Sequence, residues 1–131
     1  MKKFWVFGLA MLVTAVFGMS GTILAGEGKA ASFKKSMSMV GDVVDTQCAT
    51  ANKDNMAGFV KTHTKECALA PACKKSGYNL YSDGKLYKFD NASNKKVAAF
   101  LEKADSKLHV KAEVIHGKGD VLKLVSIANA E

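Results

Sequence analysis

Apolar and polar residues alternate along several short stretches of this chain, the pattern of half-buried β-strands. The stretches are residues 37–48, 107–115 and 121–127, the last of which is almost continuously apolar. In the first stretch, Gly41 follows Val40 and predicts a bulge or a tight bend within the strand. Residues 117–120 form a turn between the last two stretches, so these two strands are predicted to form a hairpin.

The clearest local pattern is residues 77–89, where two strand-like runs flank Asp83-Gly84. Asp-Gly favours a two-residue type I′ turn, whose twist matches that of paired strands. This turn predicts a hairpin in which Leu80 lies opposite Tyr87, with aromatic residues on the same face. We interpret that face as barrel wall or core rather than a ligand platform, since cross-strand aromatic pairs stabilise sheets. Its aromatic residues are Tyr78, Tyr87 and Phe89.

Two further segments have helical spacing. Residues 54–75 predict a helix that ends near Pro71, because proline disfavours helical geometry at the residue before it. The residues that would share one face of it are Met56, Phe59, Val60, His63 and Cys67. A second helix, capped by Asn91 or Ser93, is predicted to reach about Lys103. Its inner face would carry Val97, Phe100, Leu101 and Ala104.

The order of these elements is strand, helical insert, hairpin, helix and hairpin. It predicts a mainly β domain with α: a small five-stranded antiparallel OB-like barrel. A helical insert would lie between strands 1 and 2, and a helix between strands 3 and 4. The predicted division of the chain is a signal peptide at residues 1–25, a flexible lead-in at 26–36 and the barrel domain at 37–131.

The N-terminal residues are typical of an export signal. Lys2 and Lys3 precede an uncharged apolar run that ends in small residues. Cleavage after Ala25 is the preferred position, and cleavage near Ala30 is the alternative. A retained membrane anchor is the competing interpretation, but glycines interrupt the run, which is short for a span of about 20 residues. We therefore expect a periplasmic or secreted protein.

The charge of the chain limits its partners. Its 19 basic residues are all lysine, and with 12 acidic residues they give a formal net charge of +7. Arginine is the residue expected where phosphates are bound bidentately, so its absence, together with export, argues against a nucleic-acid partner. A lysine surface could still be attracted weakly to an anionic envelope surface. The expected partner is an unidentified small ligand or envelope component, bound by a monomer.

The candidate chemistry lies in Cys48, Cys67 and Cys73. In an oxidising compartment a disulfide is the first expectation, and three cysteines leave one thiol over. We favour a bond from Cys48 to either Cys67 or Cys73, which would tie the insert to the first strand. Closing a loop of about twenty residues would stabilise the fold by about 3 kcal/mol.

The same cysteines form a candidate metal site with His63. His63 and Cys67 are four residues apart, one helical turn, so both side chains could reach one ion. Cys48 and Cys73 would complete a set of three cysteines and one histidine suited to zinc, or a thiolate set suited to copper(I). The spacing contains no Cys-x-x-Cys pair, so the disulfide stays the preferred interpretation. A redox-active thiol protein is the third alternative.

A second metal hypothesis rests on Met37 and Met39. Alternate residues of a strand point to one face, and copper(I) prefers thioether ligands. This short segment is similar to that of periplasmic OB-fold copper chaperones, which use methionine, histidine and an aromatic residue. The opposing interpretation is that both methionines fill the hydrophobic core.

Three parts of the chain resemble small exported bacterial OB-fold-like proteins: residues 40–48, residues 77–81 with 86–89, and residues 108–117. The resemblance covers residues 40–127 and implies a fold and a compartment rather than a reaction. No nucleophile elbow, phosphate-binding glycine loop or paired-carboxylate motif is present, so we do not expect an enzyme. The predicted function is a non-catalytic binding or envelope-accessory module, with metal handling as the alternative.

Overall fold

The computed structural model describes residues 34–131. The predicted signal peptide, both cleavage positions and most of the lead-in lie outside these residues. Among residues 34–131, no helix is long and apolar enough to cross a membrane. The strands are β1 Met37–Asp45, β2 Tyr78–Ser82, β3 Lys85–Phe89, β4 His109–His116 and β5 Val121–Asn129. The helices are α1 Thr46–Ala51, α2 Met56–Phe59, α3 Lys65–Ala68, α4 Pro71–Ser76 and α5 Asn91–Leu101, with a 3₁₀ turn at Lys53–Asn55.

The five strands form a closed ring in the order β1-β2-β3-β5-β4. The helical insert lies between β1 and β2, and α5 lies between β3 and β4, as the sequence predicts. The prediction of a wholly antiparallel sheet is wrong, because β3 and β5 pair in parallel. Antiparallel neighbours alternate in direction, and alternation around a ring requires an even number of strands. A closed ring of five strands must therefore contain a parallel pair.

The β2–β3 hairpin confirms the turn predicted from Asp83-Gly84. Both residues have positive φ, 50° and 75°, as a type I′ turn requires. Leu80 pairs with Tyr87, which is the predicted register. Inward-facing residues of all five strands pack with α5 to fill the ring, and Tyr78 and Phe89 are both buried there. These aromatic rings are core residues, as expected.

Gly41 does not form a bulge, because its pairing opposite Val110 continues in register, while the predicted alternative of a tight bend stays a prediction. The only register shift in the β4–β5 pairing, between Glu113 and Val114, lies on another strand. A Cβ atom at Gly41 would lie 2.3 Å from the main-chain carbonyl oxygen of Tyr81. Glycine is therefore required here because β1 and β2 approach closely, not because β1 carries an extra residue.

Helix α5 begins one residue earlier than a cap at Asn91 predicts and three residues earlier than a cap at Ser93 predicts. Asp90 is its N-cap, and the carboxylate of Asp90 accepts a hydrogen bond of 2.7 Å from the backbone N–H of Ser93. Neither Asn91 nor Ser93 is the cap, because the acidic side chain before them already satisfies the first turn. The helix ends at Leu101, so Ala104 is exposed rather than part of the inner face. Val97, Phe100 and Leu101 are buried as predicted.

The insert is not the single helix predicted over residues 54–75. It consists of several short helices, of which α1 and α3 begin after the side-chain caps Asp45 and Thr64. Strand β1 ends at Asp45 rather than at residue 48. Pro71 starts α4 instead of ending a helix. Its fixed φ suits the first helical position, where its missing N–H is not needed.

The insert packs against the outside of the ring and forms a second, smaller core. Val43 points into the ring, whereas its neighbour Val44 points outward. Val44 is buried there with Ala49 and Met56 of the insert. The partly buried residues around them are Cys48, Phe59, Val60, Tyr81 and Leu86. The candidate site lies beside this outer core.

Candidate metal site

Each of the three cysteines is the third residue of a short helix. The Asp45 carboxylate caps α1, and its Oδ1 accepts a hydrogen bond of 2.9 Å from the backbone N–H of Cys48. Thr64 caps α3, and its Oγ1 accepts a hydrogen bond of 3.2 Å from the backbone N–H of Cys67. These caps fix the cysteines that follow them at the starts of their helices.

Helix α3 is anchored to the ring by Tyr78. The buried hydroxyl of Tyr78 donates a hydrogen bond of 2.9 Å to the backbone carbonyl of Ala68. Burial raises the pKa of Tyr78 to about 12, so the hydroxyl stays protonated and can donate. This contact joins the helix that carries Cys67 to strand β2.

Four potential ligand side chains lie close together where the insert follows the end of β1. One ligand atom from each of Asp45, Cys48, His63 and Cys67 can be chosen so that all four lie within 4.8 Å of one another. The Sγ atoms of Cys48 and Cys67 are 3.7 Å apart. Nε2 of His63 lies 3.3 Å from Oδ2 of Asp45.

Two of these distances match the edges of a tetrahedral zinc site. Two thiolates bound at about 2.3 Å with tetrahedral angles lie about 3.8 Å apart, and an imidazole nitrogen and a carboxylate oxygen lie about 3.4 Å apart. The observed Cys48–Cys67 and His63–Asp45 distances are 3.7 Å and 3.3 Å. The other distances between ligand atoms reach up to 4.8 Å, which is longer than an edge of a zinc tetrahedron.

The polar atoms at the centre of this group lack hydrogen bonds. The side chains of His63 and Asp45 are 1% and 0% exposed. Within residues 34–131, Oδ2 of Asp45 and both ring nitrogens of His63 have no hydrogen-bond partner. His63 is also the one basic side chain in this part of the chain within ion-pair distance of Asp45. Buried polar groups are normally hydrogen-bonded, paired or bound to a metal, and a bound cation would satisfy these atoms.

Burial controls the protonation of the surrounding groups. Desolvation lowers the pKa of His63 below its usual value, against the opposing effect of the Asp45 carboxylate. Desolvation, followed by contact with Asp45, raises the pKa of the Cys48 thiol. Without an ion, burial therefore favours the uncharged forms of the imidazole and the thiol. A bound cation would reverse this balance by stabilising the thiolates.

The structure brings together three of the four residues that the sequence predicts for a metal site: Cys48, His63 and Cys67. They do not meet on one helix, since His63 precedes the Thr64 cap and stacks on Phe59, with ring centroids 4.9 Å apart. Cys73 is buried beside the group but is not one of its four members. Desolvation and then the Asp45 carboxylate raise its pKa as well.

Asp45 is the site residue that the sequence analysis missed. The sequence feature that could have indicated Asp45 is an acidic residue three positions before a cysteine, at the point where a strand ends and a helix begins. That pattern indicates a helix cap, and Oδ1 does serve as one. Because the cap uses one oxygen, the other is free to face His63 and the two sulfurs.

The predicted disulfide would join Cys48 to Cys67 or Cys73. The sulfurs of Cys48 and Cys67 lie close together but are not bonded. All three cysteines are thiols among residues 34–131. The Cys48–Cys67 distance of 3.7 Å exceeds the disulfide bond length of about 2.05 Å. A bond from Cys48 to Cys67 or Cys73 therefore stays a prediction.

The remaining candidates lie elsewhere on the ring. Met39 is buried in the core inside the ring, whereas Met37 is exposed. Nδ1 of His109 lies 3.0 Å from Oδ1 of Asp42 on the exposed side of β1 and β4. His116 packs edge-on against Tyr87, with ring centroids 5.6 Å apart.

No protein-family model, no curated protein and no solved structure matches this chain.

Proposed function

We propose that this chain is an exported, non-catalytic protein that binds one zinc ion through Asp45, Cys48, His63 and Cys67. The observation that carries the proposal is the buried, unpartnered Asp45 Oδ2 and His63 ring beside two thiols. The sulfur–sulfur and nitrogen–oxygen distances support a tetrahedral ion. The N-terminal apolar segment supports export.

The mixture of ligand types favours zinc over copper(I). Copper(I) prefers soft sulfur ligands, whereas zinc accepts sulfur, imidazole nitrogen and carboxylate oxygen together. Here two sulfurs face one nitrogen and one oxygen. Copper(I) is therefore the alternative ion that the binding experiment must include.

Four protein ligands indicate a structural or storage role for the ion. Catalytic zinc sites keep one position open for water or substrate, while structural sites use four protein ligands. Asp45 comes from the end of β1, whereas the other three ligands belong to the insert. A bound ion would therefore hold the insert against the ring and stabilise the folded chain.

We also propose that the ring is an OB-like barrel. Its support is the five-stranded closed ring with a helix between β3 and β4. The insert packs against outward-facing residues of three adjacent strands, Val44, Tyr81 and Leu86. In this proposal the metal site belongs to the insert that covers the outer face of β1, β2 and β3.

The test is metal titration of the reduced full-length exported protein after treatment with a chelator. Zn²⁺ is added in competition with a chromogenic chelator, Co²⁺ is used as a spectroscopic probe of thiolate ligation, and copper(I) is titrated in parallel. We expect one zinc ion per chain and cobalt–thiolate absorption. His63→Ala should weaken zinc binding by about 100-fold or more, since even loss of an outer-shell partner costs 10–100-fold.

The matched control is His109→Ala, which removes an exposed histidine that also faces an aspartate. It should leave zinc affinity unchanged. Failure to bind zinc, equal losses in the two histidine variants, or stoichiometric binding of copper(I) without zinc would each overturn the proposal.

A further inference from the structure

The two cysteines of the proposed zinc site differ in exposure as whole residues, although both ligand groups are partly buried. Cys67 is exposed, and Cys48 is partly buried. Their Sγ atoms are 3.7 Å apart, and a disulfide would bring them to about 2.05 Å. The same two sulfurs could therefore serve either as zinc ligands or as a disulfide, but not as both at once.

We propose that Cys48 and Cys67 are a thiol–disulfide exchange pair, and that their oxidation by a small-molecule disulfide releases the zinc ion. This inference rests on the proposed zinc site and adds a second activity to it. The chain would then bind the ion in the reduced state and donate it to its surroundings when oxidised.

The exchange begins at the thiolate of Cys67, the more exposed of the two residues. Its sulfur attacks one sulfur of the small disulfide, breaks that S–S bond and expels one thiolate. The thiolate of Cys48 then attacks the Cys67 sulfur of the mixed disulfide and expels the second thiolate. Two electrons pass from the cysteine pair to the reagent, which leaves as two thiolates.

Loss of zinc follows from the ligand count. The new disulfide removes two anionic ligands from the ion and leaves the Asp45 carboxylate and the His63 imidazole. Zinc sites in proteins are almost always four-coordinate, so two remaining protein ligands would hold the ion poorly. Release should therefore accompany formation of the Cys48–Cys67 bond.

The third cysteine, Cys73, serves as a comparison for the Cys48–Cys67 pair. It is a buried thiol next to the site but outside the four-ligand group. An approaching reagent meets the more exposed Cys67 first, and the Cys48 sulfur lies 3.7 Å from it. Cys73 should therefore remain a thiol when the zinc is released.

The test treats the zinc-loaded full chain with oxidised glutathione in the absence of oxygen. Free zinc is followed with a chromogenic chelator, remaining thiols are alkylated, and linked peptides are identified by mass spectrometry. We expect one zinc ion released for every two thiols lost, a Cys48–Cys67 link and alkylated Cys73. Reduction with a phosphine and addition of Zn²⁺ should restore the loaded form, and Cys73→Ala should release zinc at the same rate.

The outcomes separate the two proposals. A chain that never binds zinc overturns the proposed function and the coupling with it. A chain that binds zinc but retains it under oxidised glutathione overturns this inference alone. A link that includes Cys73, or loss of zinc release in Cys73→Ala, also contradicts it.

Discussion

Strand β1 takes part in two histidine–aspartate pairs that differ mainly in their surroundings. Asp42 faces His109 at 3.0 Å, with side chains that are 28% and 53% exposed. Asp45 faces His63 at 3.3 Å, with side chains that are 0% and 1% exposed. The residue types are the same and the distances are similar, so burial is the feature that separates the pairs.

The comparison shows that proximity of an acid and a base does not define a functional site. Water solvates both members of the exposed pair, and such pairs contribute about 0–1 kcal/mol to stability. The buried pair has lost that water, and Asp45 Oδ2 and the His63 ring lack hydrogen bonds among the described residues. Only the buried pair needs a further partner, which is why we assign the ion to it.

The largest expected effect is that of Asp45→Asn on the free energy of unfolding, which should decrease in the presence of zinc and stay equal or increase in its absence. Asparagine keeps an oxygen that can accept the Cys48 N–H but removes the charge. With zinc at about 100 times its Kd, binding stabilises the native chain by about 2.7 kcal/mol, and the variant should lose most of this. With a chelator present, the variant should match or exceed the parent, since a buried ionisable side chain is replaced by a neutral one that keeps the cap oxygen.

Denaturant unfolding with and without zinc measures both values. Asp42→Asn is the matched control on the same strand and should change the free energy of unfolding by about 0.5 kcal/mol or less in either condition. Equal destabilisation of Asp45→Asn in both conditions would mean that Asp45 acts only through folding, and the comparison between the pairs would lose its metal-based explanation.

A smaller effect is expected in the pH dependence of the metal-free protein. Burial lowers the pKa of His63 from its usual 6.5, so the unfolded chain binds more protons at this residue than the folded chain between the two values. Stability should therefore rise with pH across this window and be lost as the pH falls below 6.5. One such group contributes at most about 1.4 kcal/mol per pH unit.

Unfolding between about pH 5 and about pH 7.5 in the presence of a chelator tests this slope. His63→Gln should flatten the curve, whereas His109→Gln should leave it unchanged. A slope that survives in His63→Gln would assign the pH dependence to other groups.

The smallest effect should be the coupling between Asp42 and His109. A double-mutant cycle should give about 1 kcal/mol or less, and added salt should reduce it, because both side chains contact solvent. A coupling of about 2 kcal/mol that resists salt would place this pair in the same class as the buried one.

Local sequence signals predicted much of the fold. Asp83-Gly84 specifies its turn through neighbouring residues alone, so the register that pairs Leu80 with Tyr87 followed directly. The parallel β3–β5 pair was missed because it depends on closure of the whole ring. The insert was also mispredicted, since its apolar spacing suggested one helix, while the chain ends a helix at Phe59 and begins new ones after the Thr64 cap and at Pro71.

The candidate site was predicted through residue chemistry rather than through correct local structure. Cys48, His63 and Cys67 were grouped as metal ligands, although His63 and Cys67 do not share the predicted helix. Asp45 was missed because its role depends on burial at the end of β1, and a sequence pattern shows only the cap. Cys73 was included because spacing alone could not rank three cysteines.

The pairing of β1 also affects the order in which the chain can assemble. The hairpins β2–β3 and β4–β5 join strands that are neighbours in sequence, whereas β1 pairs with distant strands, with Met37 opposite Val114. Contacts between distant residues cost more loop-closure entropy and slow folding. Asp45, at the end of β1, can reach its final position only when β1 docks onto Tyr78 of β2. The four side chains of the proposed zinc site can therefore converge only after β1 has docked, so the proposed site would form late in folding.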